Sequence, residues 1–348
     1  KEFDQERLRE YCDEIMKRKA KFILNNSDVK LIRELYGNHK DIPGNPSTAK
    51  SSTIKLNNRS NNIPLKLLSE DDWNYWIKNG YIIIKNAISK KEAFETANFL
   101  WEFENKKKDD SSTWYTKERA KMEMKELAGT GMVEVYNNQY LWNNRQKKRI
   151  YNAFVDIWGT EKLWVTIDRA NLNFPIKKGY KYDSFIHWDY NPDTKPQNIQ
   201  GVLALSDQTD KNMGGFQCIP WLFRNYETWK KTQRKDRDKF QPDITGIEDK
   251  IVKVPLEAGD LLIFHSCQPH GIRPNLSKNK VRIAQYISMM PAEEENESLK
   301  QWRINSWKKK IAPEGYAFPG DPRKLEKIKY KTAKLNSLGK KLLGINKW

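Results

Sequence analysis

Two pieces of sequence decide the reading: Ser184-Phe185-Ile186-His187-Trp188-Asp189, and Gly259-Asp260-Leu261-Leu262-Ile263-Phe264-His265-Ser266-Cys267-Gln268-Pro269-His270-Gly271 with Val281-Arg282-Ile283-Ala284 after it. Side chains alternate across a strand, so His187 and Asp189, two apart, project to one face. Joined by one distant His, such a pair makes a 2-His-1-carboxylate set. That set leaves three coordination positions open for co-substrate and oxygen, which suits non-haem Fe(II) oxygenases. The chain has four histidines, His39, His187, His265 and His270, and the last two compete for the third place. His265 continues the alternation of Leu261 and Ile263 in a buried strand. His270 stands between Pro269 and Gly271, where a strand starts. Spacing leaves both open.

Outward from these pieces the texture is of short strands. Leu163–Ile167, Ser184–Tyr190, Ile199–Leu205, Phe216–Pro220, Ile251–Val254, Asp260–His265 and Val281–Met289 are β-branched or aromatic and separated by turn residues. No crossover helices intervene, which predicts an antiparallel barrel or jelly roll. The fold class expected is mainly β with flanking helices around a double-stranded β-helix (jelly roll, cupin-like) core.

Helical spacing marks residues 1–40, and His39–Asn62 turns to Pro, Gly, Ser and Asn. A helix from Ser69 closes at Gly80, Tyr81–Ile84 reads as a buried strand, and Ser89-Lys90-Lys91-Glu92 is a capping box. Helices are also expected at about Lys117–Leu127 and Arg145–Trp158, with a charged helical insertion at Phe223–Lys239. Pro322–Trp348 reads as one amphipathic helix with Leu325, Ile328, Leu335, Leu338 and Leu342 inward. The division is 1–68, an N-terminal extension; 69–292, the jelly-roll domain; and 293–348, a basic helical extension packed on that domain.

Composition narrows the classes. With 38% hydrophobic and 31% charged residues the chain reads as globular, and no apolar run approaches the length that spans a membrane. Cys12, Cys218 and Cys267 form no CxxC pair, and Lys1–Lys21 carry no signal-peptide core, so a reducing cytoplasmic setting is expected. The net charge is +18. Residues 301–348 alone hold 13 Lys/Arg against Glu314, Asp321 and Glu326. Such a surface attracts anions, but no motif interleaves aromatic and basic residues as nucleic-acid binding requires. The partner expected is a small molecule, with an anionic one in reserve.

Ser184–Asp189, Gly259–Gly271, Pro274-Asn275-Leu276-Ser277 and Arg282 together resemble the phytanoyl-CoA dioxygenase family of Fe(II)/2-oxoglutarate oxygenases, over roughly Ser69–Ala292. The resemblance selects His270 as the distal ligand beside His187 and Asp189. It assigns Arg282 to the distal carboxylate of 2-oxoglutarate, a role its bidentate fork suits. It implies Fe(II), 2-oxoglutarate and O2 as the working set, with succinate and CO2 released as a metabolite is hydroxylated or oxidatively cyclised. Gly131-Met132-Val133-Glu134-Val135-Tyr136, Leu141-Trp142-Asn143-Asn144-Arg145 and Leu338–Gly344 look like a microbial branch associated with small-molecule metabolism. An intact carboxylate at Asp189 implies oxygenation, since halogenases of this superclass carry a small residue there. The alternatives are an acyl-thioester or other anionic substrate, or a jelly-roll binding module without catalysis.

Two departures stand out. Relatives place a hydroxyl two residues beyond the Arg or the distal His to help hold 2-oxoglutarate; here those positions are Ala284 and Ile272. Asn171, Thr166 and Ser184 are the candidates to replace it, Asn171 first. Gly214-Gly215-Phe216-Gln217-Cys218-Ile219-Pro220-Trp221 also replaces a Ser-His signature. Arg169 and Arg273 could meet a substrate anion, though ion pairs explain most such arginines. Trp164, Trp188 and Trp221 could line the pocket, but with 13 tryptophans in the chain a core role is the expected one for most. No second Cys stands near Cys267 to make a zinc site, and Asp260 is expected to fix the turn after Gly259.

Overall fold

The computed structural model describes residues 45, 47, 54–57, 59, 64–115, 131–176, 186–313, 318 and 320–348. The helices expected within 1–40 and 117–127, and Ser184, lie outside them. Two serines start the first helices. Ser69 accepts from Asp72 N while the Asp72 carboxylate accepts from Ser69 N, and Ser89 with Glu92 repeats the arrangement. Each box satisfies backbone donors left open at a helix start.

The chain order is α1 (Glu70–Asn79), β1 (Tyr81–Ile84), α2 (Lys90–Phe103), β2 (Met132–Val133), α3 (Gln139–Arg145) and α4 (Lys148–Trp158). Then come β3 (Leu163–Val165), β4 (Ala170–Asn173), β5 (Ile199–Ala204), β6 (Met213–Cys218), α5 (Pro220–Lys231) and β7 (Val252–Lys253). The rest are β8 (Leu261–His265), β9 (His270–Asn275), β10 (Arg282–Tyr286), β11 (Met289–Pro291), α6 (Glu297–Lys309), α7 (Leu325–Lys329) and α8 (Ser337–Leu343).

Six strands form one antiparallel sheet in the order β1-β8-β5-β10-β4-β2, and β7-β6-β9 form a second. Directly paired residues share a face. The register Tyr81↔Phe264↔Gln200 and Ala204↔Ala284↔Asn171 therefore puts all six on one side of the large sheet. That side meets Phe216 and Cys218 of the second sheet in one buried cluster with Val202, Leu262, Val254 and Leu256. The opposite side, with Leu172, Leu203, Leu261, Ile263 and Ile283, packs on Phe99, Leu100, Phe154, Ile157 and Trp158 of α2 and α4. Burying each such side chain contributes about 1.5–3 kcal/mol. This is the jelly roll expected, and its two-layer interior is where the site forms.

Several expected elements differ. The strand at 184–190 reduces, among described residues, to a single bridge between His187 and His270. The helix at 145–158 breaks at Gln146–Lys147. The insertion begins earlier, at Pro220, and ends at Lys231 with a kink at Asn225. The single C-terminal helix is not formed: α7 and α8 are separated by extended Tyr330–Asn336, and Ile328 is 72% exposed. Side-chain hydrogen bonds oppose a continuous helix, because Lys334 N donates to Gln139 and Asn336 accepts from Gly339 N to cap α8. Arg303 of α6 is fully buried and donates to carbonyls of Ser47, Val165, Leu342 and Leu343, which ties α6, α8 and β3 together.

Candidate metal centre

His270 opens β9 and His187 runs beside it: each backbone N–H donates to the other's carbonyl, at 2.8 and 2.9 Å. Their rings stand 4.7 Å apart. Asp189, on the same face as His187, sits between them, with Oδ1 3.4 Å from His187 Nε2 and Oδ2 3.4 Å from His270 Nε2. The donor atoms of the three residues lie within 4.8 Å of one another, a group of a size to surround one ion. Trp188 points the other way, where its Nε1 donates to Cys267 O and its ring packs on Tyr226 and Trp229. Period-two alternation thus separates ligand face from packing face.

Second contacts fix the donors. His270 Nδ1 lies 3.0 Å from the carbonyl of Gln268, so the N–H sits there and Nε2 carries the lone pair. Phe216 stacks on the His270 ring and Phe264 tilts against it. Gln200 Nε2 donates to Asp189 Oδ2. Desolvation works against the Asp189 carboxylate, but the His270 and His187 imidazoles outweigh it and hold the group well below the usual carboxylate range.

Arg282 lies on the inner face of β10, only 1% exposed. Its Nε donates to Gln208 Oε1 at 3.1 Å and its Nη1 to Asn171 Oδ1 at 3.2 Å. Its Nη2 is buried and has no partner among the described residues. A buried donor left unsatisfied costs about 1–3 kcal/mol, more on a charged group, so this atom marks where an anionic ligand fits. Asn171, paired with Ala284 across the strands, lies beside Arg282. Thr166 does not: its hydroxyl donates to Ser288 O and accepts from Ser288 N, at the β3–β11 edge. Sequence reasoning missed Gln208 and Gln200. The inward parity of Gln200 with Val202 and Ala204 was readable once β5 was placed; nothing local marked Gln208.

The competing histidine is elsewhere. His265 has opposite parity to Phe264, so it faces Trp76 and Phe223, and its Nδ1 accepts from Cys267 N. Burial pushes its imidazole down to about 4. Arg169 pairs with buried Glu134 at 3.0 Å, and Asp260 accepts from Lys85, Asn86 N and Glu257 N at its turn.

The phytanoyl-CoA dioxygenase (PhyH) family profile matches residues 76–284. The chain belongs to the phytanoyl-CoA dioxygenase family. It is a 2-oxoglutarate-dependent dioxygenase of that family, with Fe(II), 2-oxoglutarate and O2 as its working set. Among relatives of this family member, Ava biosynthesis cluster protein O of Aspergillus versicolor is 28% identical over 252 residues, 63% of this chain and 77% of that one. GlcNAc Inducible Gene 2 from Candida albicans shares the fold with a TM-score of 0.58 at 15% identity, covering 83% of this chain and 79% of that one. A putative oxidoreductase from Salmonella typhimurium LT2 aligns with a TM-score of 0.57 at 14% identity, over 80% and 83% of the two chains. No described helix is long and apolar enough to cross a membrane.

Proposed function

We propose that His187, Asp189 and His270 hold the iron, that Arg282 with Asn171 holds the distal carboxylate of 2-oxoglutarate, and that the enzyme hydroxylates or oxidatively cyclises a small-molecule metabolite. The observation that carries this reading is the coincidence of two features in one interior: three converging donors, and a buried guanidinium with an unpartnered Nη2. The relative from a biosynthesis cluster supports a place in metabolite assembly. An anionic substrate is the second reading, supported by the net charge of +18. Residues 293–348 belong in this reading to an extension of the oxygenase domain, since Leu342 and Leu343 sit in its core.

Bound at this site, iron with 2-oxoglutarate and O2 supplies oxidative decarboxylation to succinate and CO2 and the oxidising power to remove a substrate hydrogen. The chain does the rest. His270 is aimed by the Gln268 carbonyl, Asp189 is kept anionic and oriented by Gln200, and Phe216 and Phe264 keep water from the His270 ring. Arg282 sets how deeply a 2-oxo acid enters. The test is Fe(II)-dependent succinate release from 2-oxoglutarate. Wild type should turn over and His187→Ala should lose at least about a hundredfold, beyond the 10–100-fold typical of outer contacts. Release unaffected by His187→Ala would remove the assignment.

A further inference from the structure

A second guanidinium stands beside the first. Arg273 of β9 is buried, 6% exposed, and its Nε and Nη2 both donate to one acceptor, the carbonyl of Gly214, the Nε bond at 3.0 Å. Its Nη1 has no partner among the described residues. The approach is made possible by Gly215, whose φ is +104°: a Cβ there would lie 2.8 Å from Arg273 Nη2 and 3.7 Å from Gln208 Oε1. Gln208 Oε1 is also the atom that Arg282 Nε binds, and Gln208 is itself held by its Nε2 on Ile283 O and its N on Leu256 O. Gln208 therefore stands between the two arginines. Burial, and then the neighbouring Arg282 charge, push the Arg273 guanidinium down.

Neither arginine has a carboxylate within ion-pair distance among the described residues; their acceptors are Gly214, Gln208 and Asn171. Buried charges without a counter-ion are costly, and two of like sign more so. An anion between them removes that cost. Ala284 and Ile272, two residues beyond Arg282 and His270, supply no side-chain donor to a carboxylate.

We infer that Arg273 is a second positioning residue for the distal carboxylate of 2-oxoglutarate, so that the co-substrate is gripped by a pair of arginines from facing sheets. This rests on the assignment of 2-oxoglutarate to the Arg282 pocket. A carboxylate of the substrate is the other source of the same chemistry, and the test separates the two.

The experiment titrates Fe(II)-loaded protein without oxygen, following the visible charge-transfer absorbance as a 2-oxo acid chelates the iron. The ligands are 2-oxoglutarate and 2-oxopentanoate, the same five-carbon chain with a methyl group in place of the distal carboxylate. Arg273→Gln should weaken 2-oxoglutarate by about 10–100-fold, the worth of a charge-assisted hydrogen bond, and leave 2-oxopentanoate within about twofold. Arg273→Lys keeps the charge but not the fork, and should fall between wild type and Arg273→Gln. Equal loss of both acids would make Arg273 a prop for Gly214 and overturn the inference. Unchanged binding of both would overturn it too and move Arg273 to the substrate side. Arg282→Gln should give the same split; if wild type binds no 2-oxoglutarate, the reading of the pocket fails and takes this one with it.

Discussion

Two histidines five positions apart meet opposite fates in this chain. His270 turns into the jelly roll against Asp189, while His265 turns out among Trp76 and Phe223. Strand parity explains the split, because Leu261, Ile263 and His265 all face the helices. The half-buried His265 imidazole has a consequence for pH. Its folded value of about 4 lies below the unfolded 6.5, so the neutral ring's stabilisation is complete above pH 6.5. It is lost progressively as pH falls from 6.5 towards 4, because the unfolded chain takes up the proton first. The linkage is worth on the order of 2–3 kcal/mol. Urea midpoints of wild type and His265→Phe should diverge in slope across that window, the wild type losing more stability with acid; parallel curves would refute the neutral ring. At this scale the His187–Asp189 face was legible in the sequence, since period two depends on nothing remote. The choice between His265 and His270 was not, because it turned on which side of β8 faces the second sheet. Thr166 was misplaced for a like reason: its hydroxyl is engaged by Ser288, far along the chain.

Elements were legible where local chemistry and long-range packing agree. Both capping boxes start helices where Ser69 and Ser89 stand, and α1 closes at Gly80 with φ +69°. β4, with two asparagines in its four residues, escaped notice because Asn disfavours strands; it exists because β10 and β2 pair with it on either side. The C-terminal helix failed for the converse reason, a hydrophobic spacing without the contacts to make it one helix. Gly259 shows how one turn governs a strand. Its φ is +97°, and a Cβ would lie 2.4 Å from Ile88 O, while its own carbonyl accepts from Ile88 N at 3.1 Å. Gly259→Ala should therefore destabilise by at least about 2 kcal/mol, left-handed strain and backbone collision together. Chemical denaturation checks it; a loss under about half a kcal/mol would mean the turn re-forms freely.

For the molecule as a whole, the second layer outside the barrel matters as much as the barrel. Arg303 satisfies four carbonyls from three separate places in the chain, with no carboxylate partner among the described residues, and burial lowers its guanidinium to about 9. Arg303→Ala should cost about 3 kcal/mol or more, because it opens a cavity and orphans buried acceptors together. A thermal melt would read this as a fall of many degrees, and an unchanged melting temperature would show the C-terminal extension to be only loosely attached. Little of this was visible beforehand. The basic excess of residues 301–348 drew the eye to solvent, whereas the residue that matters most there faces inward.

The reciprocal hydrogen bonds between His187 and His270 carry one more implication. The two imidazoles proposed as ligands are also where the 186–190 segment is stitched to the second sheet. Cation capture and the closing of that seam are then a single equilibrium, in which the ion favours the sewn form by RT ln(1 + [ion]/Kd). Adding Mn(II) at a hundred times its Kd should raise the unfolding free energy by about 2.7 kcal/mol, a chelator should reverse it, and hydrogen exchange should slow first at these two amides.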